Sequence, residues 1–375
     1  MARYVDGALG FESIAGAGAL DDYLGVLADA TGPIGLRRMI AATAGMTARL
    51  LDGVPAVARR IGADAVLADM AEPAGPVIAA HLGLPCIGTV TGLPLMEEPD
   101  VPPPFTDWPY LPRGAGRFRN SGGYTVARWL MRPIRRAVEV RAGAWGVSAD
   151  AAPTMHVAQC PAAFDFPRRA LPPGFRYGAP WRSPEADEPD LPHDGRPLVF
   201  CSLGSLQGGR KAMFAAMTSA CADVGARAVV AHGGRLTDVE AAALPSDPLV
   251  RAWWPQRGVL ARCRAAILHG GFNTVLDALA TGTPIVAVPI AFEQPATAAR
   301  IEWLGAGRIV PMRRASRRTL AEGLRAVLDD PRYAQAAGRL QASIAGRDGA
   351  ADAAAAISAA LSVDSGAGDT RAFPG

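Results

Sequence analysis

The sequence has almost no lysine. Lys211 is the only one, so arginine supplies the rest of the 38 basic side chains. Against 35 acidic residues the formal net charge is +3. No clustered basic face stands out, so nucleic acid is not an expected partner. Cysteine is scarce as well. Cys86, Cys160, Cys201, Cys221 and Cys263 are odd in number, widely spaced and without a C-x-x-C pair. A disulfide framework or zinc site is therefore not expected, and a reducing cytoplasmic setting is. No apolar run reaches the roughly 18 residues of a membrane span. Residues 1–9 lack the basic-then-apolar order of a secretory signal. No D-x-D pair, G-x-S-x-G elbow or phosphate-loop lysine occurs. A carboxylate-chelated metal, a serine hydrolase and a P-loop enzyme thus have no support.

What is present is apolar material. Half of the 375 residues are hydrophobic and 19% are charged, which excludes global disorder and predicts two domains. The sharpest composition break is Ala179 to Pro197, rich in proline and acid and without hydrophobic period. It reads as a linker over 179–196 between a domain at 1–178 and one at 197–361. The Gly/Ser/Asp-rich stretch 362–375 reads as a disordered tail.

After the linker, short apolar runs alternate with helical patterns. Pro197–Ser202, Arg227–His232, Ala265–Leu268 and Pro284–Val288 read as buried strands, and Lys211–Val224 as a helix. The β-α-β order predicts a parallel sheet covered on both faces. Thr319-Leu-Ala-Glu322 reads as a capping box opening a helix that ends before Asp330, and Ala350–Leu361 as a closing helix. Before the linker, Asp64–Ala68 and Leu84–Val90 read as strands and Pro73–Leu82 as a helix. Glu97–Gly123 reads as a long loop, followed by a helix over Val126–Ala144 that is broken or kinked near Pro133.

The chemistry concentrates between Ala265 and Gln294. A strand ends at Leu268, His269-Gly270-Gly271 follow, and Phe272-Asn273-Thr274 open a helix. Taken alone, this is a tight strand-to-helix turn. It is also a cradle in which free N–H groups and the helix dipole suit a phosphate. Asn273, Thr274 and His269 can add donors, and the Asp277 carboxylate can accept ribose hydroxyls. Glu293-Gln294 arrive at the carboxyl end of the next strand, where open α/β sheets bind ligands, and suit sugar hydroxyls. Trp253-Trp254-Pro255-Gln256 offers a ring that can stack on a base, with core packing the alternative for one tryptophan.

Trp253-x-Pro255-Gln256, then His269-Gly-Gly-x-Asn-Thr-x-x-Asp277-Ala-Leu-x-x-Gly-x-Pro284, then Pro289-x-x-x-Glu293-Gln294, resembles the donor signature of family 1 glycosyltransferases. The resemblance implies an α/β GT-B fold, two Rossmann-like parallel-sheet domains facing across a cleft. The first domain would bind the acceptor and the second a UDP-sugar. Trp253 would stack on uracil, Gln256 contact uridine, and Asp277 take the ribose. His269, Gly270, Gly271, Asn273 and Thr274 would hold the diphosphate, with His269 and the dipole replacing a metal. Glu293 and Gln294 would hold the sugar, and Ser205 in Ser202-Leu-Gly-Ser205 would sit at the diphosphate. UDP-glucose would be a co-substrate, with no cofactor. Phe200–Gly208, Ala231–Asp238, Leu93–Asp100 and Asp165–Pro172 are similar to the zeaxanthin glucosyltransferases of carotenoid biosynthesis. That likeness implies glucose transfer to a carotenoid hydroxyl, with inversion to a β-glucoside. A macrolide, sterol or phenol acceptor is an alternative, and so is a non-catalytic nucleotide-sugar binder.

The family's first β-α unit carries a general-base histidine. None of His81, His156, His193, His232 and His269 fits that place. About one β-α unit is expected to be missing before Gly10–Gly16, which resembles a later strand. Asp69 would orient the missing base, or else serve as a local cap. Arg128-Trp129-Leu-Met-Arg132-Pro-Ile-Arg135-Arg136 mixes cations with bulky apolar residues. It reads either as a solvated helix face or as a segment lying peripherally on the inner face of a membrane.

Overall fold

The computed structural model describes residues 9–14, 18–28, 32–182, 188–191 and 194–367. His193 and parts of the sequence-read linker and tail lie outside them. The chain divides into two compact units, one of residues 1–89, 126–156 and 357–375, the other of 90–125 and 157–356.

In the first unit, β1 (Val66–Asp69) pairs in parallel with β2 (Cys86–Val90), Val66 opposite Cys86. β3 (Met155–Ala158) and β4 (Phe175–Arg176) complete this smaller sheet in the order β1-β2-β3-β4, β4 and the end of β3 being residues of the second unit. The helix Gly32–Ile61 buries Ile40, Thr47, Leu51, Pro55 and Ala58, a stripe at helical spacing. Leu51 packs with Val77 and Ile78 of the helix Ala74–Leu82 and with Val138 and Ala142 of Arg132–Trp145. Residues 10–14, expected within a strand, are irregular, and 15–16 lie outside the described residues.

In the second unit, β5 (Leu198–Ser202), β6 (Arg227–Ala231), β7 (Leu249–Arg251), β8 (Cys263–Leu268), β9 (Ile285–Ala287) and β10 (Gly307–Ile309) form one sheet. Their order is β10-β9-β8-β5-β6-β7, and every pairing is parallel. This is the doubly wound arrangement, with its switch point between β5 and β8. Val199, Cys201, Ile267 and Val286 pack on the helices Lys211–Asp223 and Arg317–Asp329.

Three elements correct the sequence expectations, and a fourth, the helix break near Pro133, falls where it was expected. The long loop ends before Ala115, where a helix runs to Leu130. Its successor begins at Arg132, with Pro133 in the first turn, where a missing N–H does no harm. The capping box lies one turn earlier than expected. Ser316 and Thr319 cap reciprocally and the helix starts at Arg317, because Thr319 supplies the third-position side chain. The closing helix spans Gly349–Ala367, so 362–367 are helical and not tail.

Candidate donor site

Ser202 at the end of β5 lies opposite Leu268 at the end of β8. The loops leaving these strands therefore meet at the switch point, where His269 N–H donates to Ser202 O at 3.3 Å. Gly204 and Gly270 take φ of +70° and +86°, a region closed to most side chains. A Cβ on Gly204 or Gly271 would strike the His269 imidazole, so the ring is clamped by two bare backbones. Burial pushes the imidazole down to about 4. It is neutral at pH 7. His269 can offer a hydrogen bond as a neutral ring, the donor role the sequence reading gave it. The helix N-terminus supplies the electropositive field.

That helix, Phe272–Ala280, begins at Gly271 without a side-chain cap. The Glu293 carboxylate accepts from the backbone N–H of Phe272, while burial pushes its pKa up. Phe292, just before, takes φ of +58°, a rare conformation for a bulky residue and one that collects at functional loops. Gln294 pins this turn. Its Oε1 accepts from Ile290 N at 2.9 Å and from Ala291 N at 3.0 Å. The expected sugar contact of Gln294 is thereby narrowed to its amide nitrogen.

One turn into the helix, Asp277 is buried. Gln256 Nε2 donates to its Oδ2 at 2.6 Å, and Arg182 Nε stands 3.5 Å from Oδ1. Desolvation pushes the Asp277 pKa up, against Arg182, Gln256 and Arg257, which pull it down. Asn273 Oδ1 accepts from Gln159 Nε2 at 2.8 Å. Ser205 is exposed in the short helix Gly204–Gln207, its carbonyl accepting from Arg235 Nε at 2.9 Å. Thr274 is half-buried in the first helical turn.

The two tryptophans separate. Trp254 donates from Nε1 to Val230 O at 3.0 Å and lies under the Arg251 guanidinium. Trp253 is 64% exposed, with its ring open to a ligand. The sequence expected one of the pair to be a packing residue, and Trp254 is that one.

Donor-side residues from Ser205 to Gln294 thus gather on the second unit. Asp69 belongs to the first. It ends β1, and its Oδ1 accepts from Ala71 N at 2.9 Å, a local turn. His81 of that unit stacks on Trp145, and His156 packs against Gly88.

Sequence reading missed Arg182 and Gln159. Arg182 sits inside the proline-acid stretch that reads as linker, and a lone glutamine carries no pattern. Three buried atoms near these loops have no hydrogen-bond partner: His269 Nδ1, Asp277 Oδ1 and Trp181 Nε1. Buried orphans are few in native proteins, and an absent polar ligand is one reason for them. Among the described residues no cluster of three or more His, Cys, Asp or Glu could hold a metal.

The segments Leu93–Asp100 and Asp165–Pro172 bind each other. Arg168 donates to Pro94 O and Met96 O and pairs with Asp165, and Glu98 Oε1 accepts from Arg169 N at 2.7 Å. Asp100 and Asp165 also reach beyond the two segments, to Arg117 and Arg300.

The doubly wound sheet and its switch-point cradle define a GT-B glycosyltransferase. The glycosyltransferase SnogD from Streptomyces nogalater matches over 94% of this chain and 87% of its own, with a TM-score of 0.68 and 25% identity. CalG4, the calicheamicin glycosyltransferase, shares the fold with a TM-score of 0.70 at 22% identity, over 88% of this chain and 82% of its own. The family model for UDP-glucoronosyl and UDP-glucosyl transferase matches residues 163–346. Zeaxanthin glucosyltransferase of Pseudescherichia vulneris is 37% identical over 79% of this chain and 73% of the relative. That of Pantoea ananas is 33% identical over 87% and 78%. The chain belongs to the UDP-glucoronosyl and UDP-glucosyl transferase family, family 1 of the glycosyltransferases.

Proposed function

We propose that this glycosyltransferase moves glucose from UDP-glucose to a hydroxyl of zeaxanthin or a related hydroxylated carotenoid. The observation that carries the donor half is the convergence of the His269-Gly270-Gly271 turn, Asp277 and Glu293 at one switch point. The identity to zeaxanthin glucosyltransferases over most of the chain supports the acceptor. In this reading Trp253 stacks on uracil, Gln256 contacts uridine and Asp277 takes the ribose. Gly270, Gly271, Asn273, Thr274, His269 and Ser205 hold the diphosphate, and Glu293 with the Gln294 amide orients the glucose. The acceptor oxygen attacks the anomeric carbon from the face opposite UDP. As that bond forms, the bond from carbon to phosphate oxygen breaks. The charge left on UDP settles on the helix N-terminus, and the product is a β-glucoside. The hydroxyl proton must pass to a base, a role worth about 10²–10⁴ in rate; the resemblance gives it to a histidine that Asp69 would orient and that none of the five histidines of this sequence supplies.

The test is to incubate the protein with UDP-glucose and zeaxanthin, and separately with macrolide, sterol and phenol alcohols. A hexose mass increment on zeaxanthin supports the reading. An increment on a macrolide alone replaces the acceptor. UDP binding without turnover on any alcohol reduces the function to nucleotide-sugar binding.

A membrane-surface role rests on a separate observation. Val126 and Trp129, 56% and 60% exposed, lie on the helix Ala115–Leu130, beside exposed Arg128, Arg132, Arg135 and Arg136. Apolar side chains flanked by cations fit an anionic bilayer surface. No described helix is long and apolar enough to cross a membrane. Sedimentation with vesicles containing anionic lipid, lost on Trp129→Ala, supports this role, and no sedimentation removes it.

A further inference from the structure

We propose that Arg182 is a donor-site residue, whose guanidinium holds the Asp277 carboxylate ready for the ribose and yields it when a UDP-sugar binds. The proposal rests on the reading of Asp277 as the ribose acceptor. Its support is geometric. The segment before Arg182 is seated on the site: Ala179 is fully buried, and Trp181 N donates to Gln159 Oε1 at 3.5 Å. Gln159 in turn binds Asn273, on the same helix as Asp277. Arg182 Nη1 donates to Trp181 O at 2.9 Å, which aims the side chain.

The two oxygens of Asp277 are used differently. Oδ2 takes a short bond from Gln256, whereas Oδ1 faces Arg182 at 3.5 Å and has no hydrogen bond. A hydroxyl can therefore bond to Oδ1 without breaking one. The Arg182 side chain is 33% exposed against 6% for Asp277, so the arginine is the partner free to move. The charged groups acting on Asp277 are Arg182 and Arg257, with Gln256 as a neutral donor. Removing Arg182 leaves a buried carboxylate less compensated. It then protonates at higher pH and accepts hydroxyls less well.

The experiment is calorimetric titration of UDP from pH 5 to pH 8 into the wild type, Arg182→Gln, Asp277→Asn and the double variant. The expected result is about tenfold weaker binding for Arg182→Gln at pH 7, the scale of losing one ion pair to a buried carboxylate. The pH below which its affinity falls should also move upward, a shift that loss of packing would not produce. Arg182→Lys should restore part of both. Asp277→Asn should bind weakly without an acid limb, and adding Arg182→Gln to it should change little. If Asp277→Asn is weakened while Arg182→Gln matches the wild type at every pH, the Arg182 proposal is overturned alone. If Arg182→Gln costs as much in the Asp277→Asn background, its route through Asp277 is overturned. If Asp277→Asn binds like the wild type, the ribose reading itself fails, and the proposal with it.

Discussion

Asp165 and Arg300 form an ion pair at 2.7 Å in which the two side chains are 1% and 0% exposed. Arg168 lies on the other carboxylate oxygen at 2.6 Å, and Tyr177 donates to it at 2.8 Å. Arg300 also sits over the Phe166 ring. Burial pushes the Asp165 pKa up, but the two guanidiniums overcome it and hold the group below the usual carboxylate range.

A buried pair stripped of one partner leaves the other charge uncompensated. Asp165→Asn is therefore expected to cost about 3 kcal/mol or more in urea unfolding. Because the folded-state pKa is depressed, the carboxylate's contribution is complete above its unfolded value, about 3.9. It is lost as pH falls toward the lower folded value. The wild type should show an acid-unfolding limb beginning near pH 4 that is shallower in Asp165→Asn. Equal acid limbs in the two proteins would remove this role.

The strands were legible because their apolar runs are short and bounded. Pro197–Ser202 and Arg227–His232 match β5 and β6 to within a residue at each end. The turn from β8 into the helix Phe272–Ala280 was legible because two glycines stand between an apolar run and a helical pattern. The clamp between Asp165 and Arg300 was not. Its residues stand 135 apart in sequence, and no local pattern announces such a contact. Arg182 was hidden for a different reason: composition marked its surroundings as linker, and only the fold brings it to Asp277. The neutrality of His269 was equally invisible, since it follows from burial between Gly204 and Gly271.

The two tryptophans should separate in mutagenesis. Trp253→Ala removes an exposed ring and should leave unfolding unchanged within about 0.5 kcal/mol. It should weaken UDP binding about tenfold, as loss of base stacking does. Trp254→Ala removes a packed, hydrogen-bonded ring and should cost about 2 kcal/mol of stability. Isothermal binding and urea curves on both variants check this, and the opposite assignment would exchange their roles.

Gly271→Ala places a methyl against the His269 imidazole. The ring must shift, and the turn that aims N–H groups at the diphosphate shifts with it. UDP affinity should fall about tenfold or more, while UMP, with one phosphate fewer, loses less. Equal losses for the two nucleotides would place the damage away from the diphosphate.

His269 should titrate near 4 in the protein without added nucleotide, measured by NMR of the ring protons, since burial depresses it. The neutral form therefore dominates above that value. Bound UDP, as an anion beside the ring, should raise the midpoint. A free-protein midpoint near 6.5 would mean that the ring is solvated and the clamp open.

Saturation-transfer NMR on UDP-glucose reads out whether the β5 and β8 loops build a UDP-sugar site. Transfer to the uracil and ribose protons is expected, with the uracil signal lost in Trp253→Ala and the ribose signal reduced in Asp277→Asn. Absence of transfer in the wild type, or transfer indifferent to both substitutions, would contradict it.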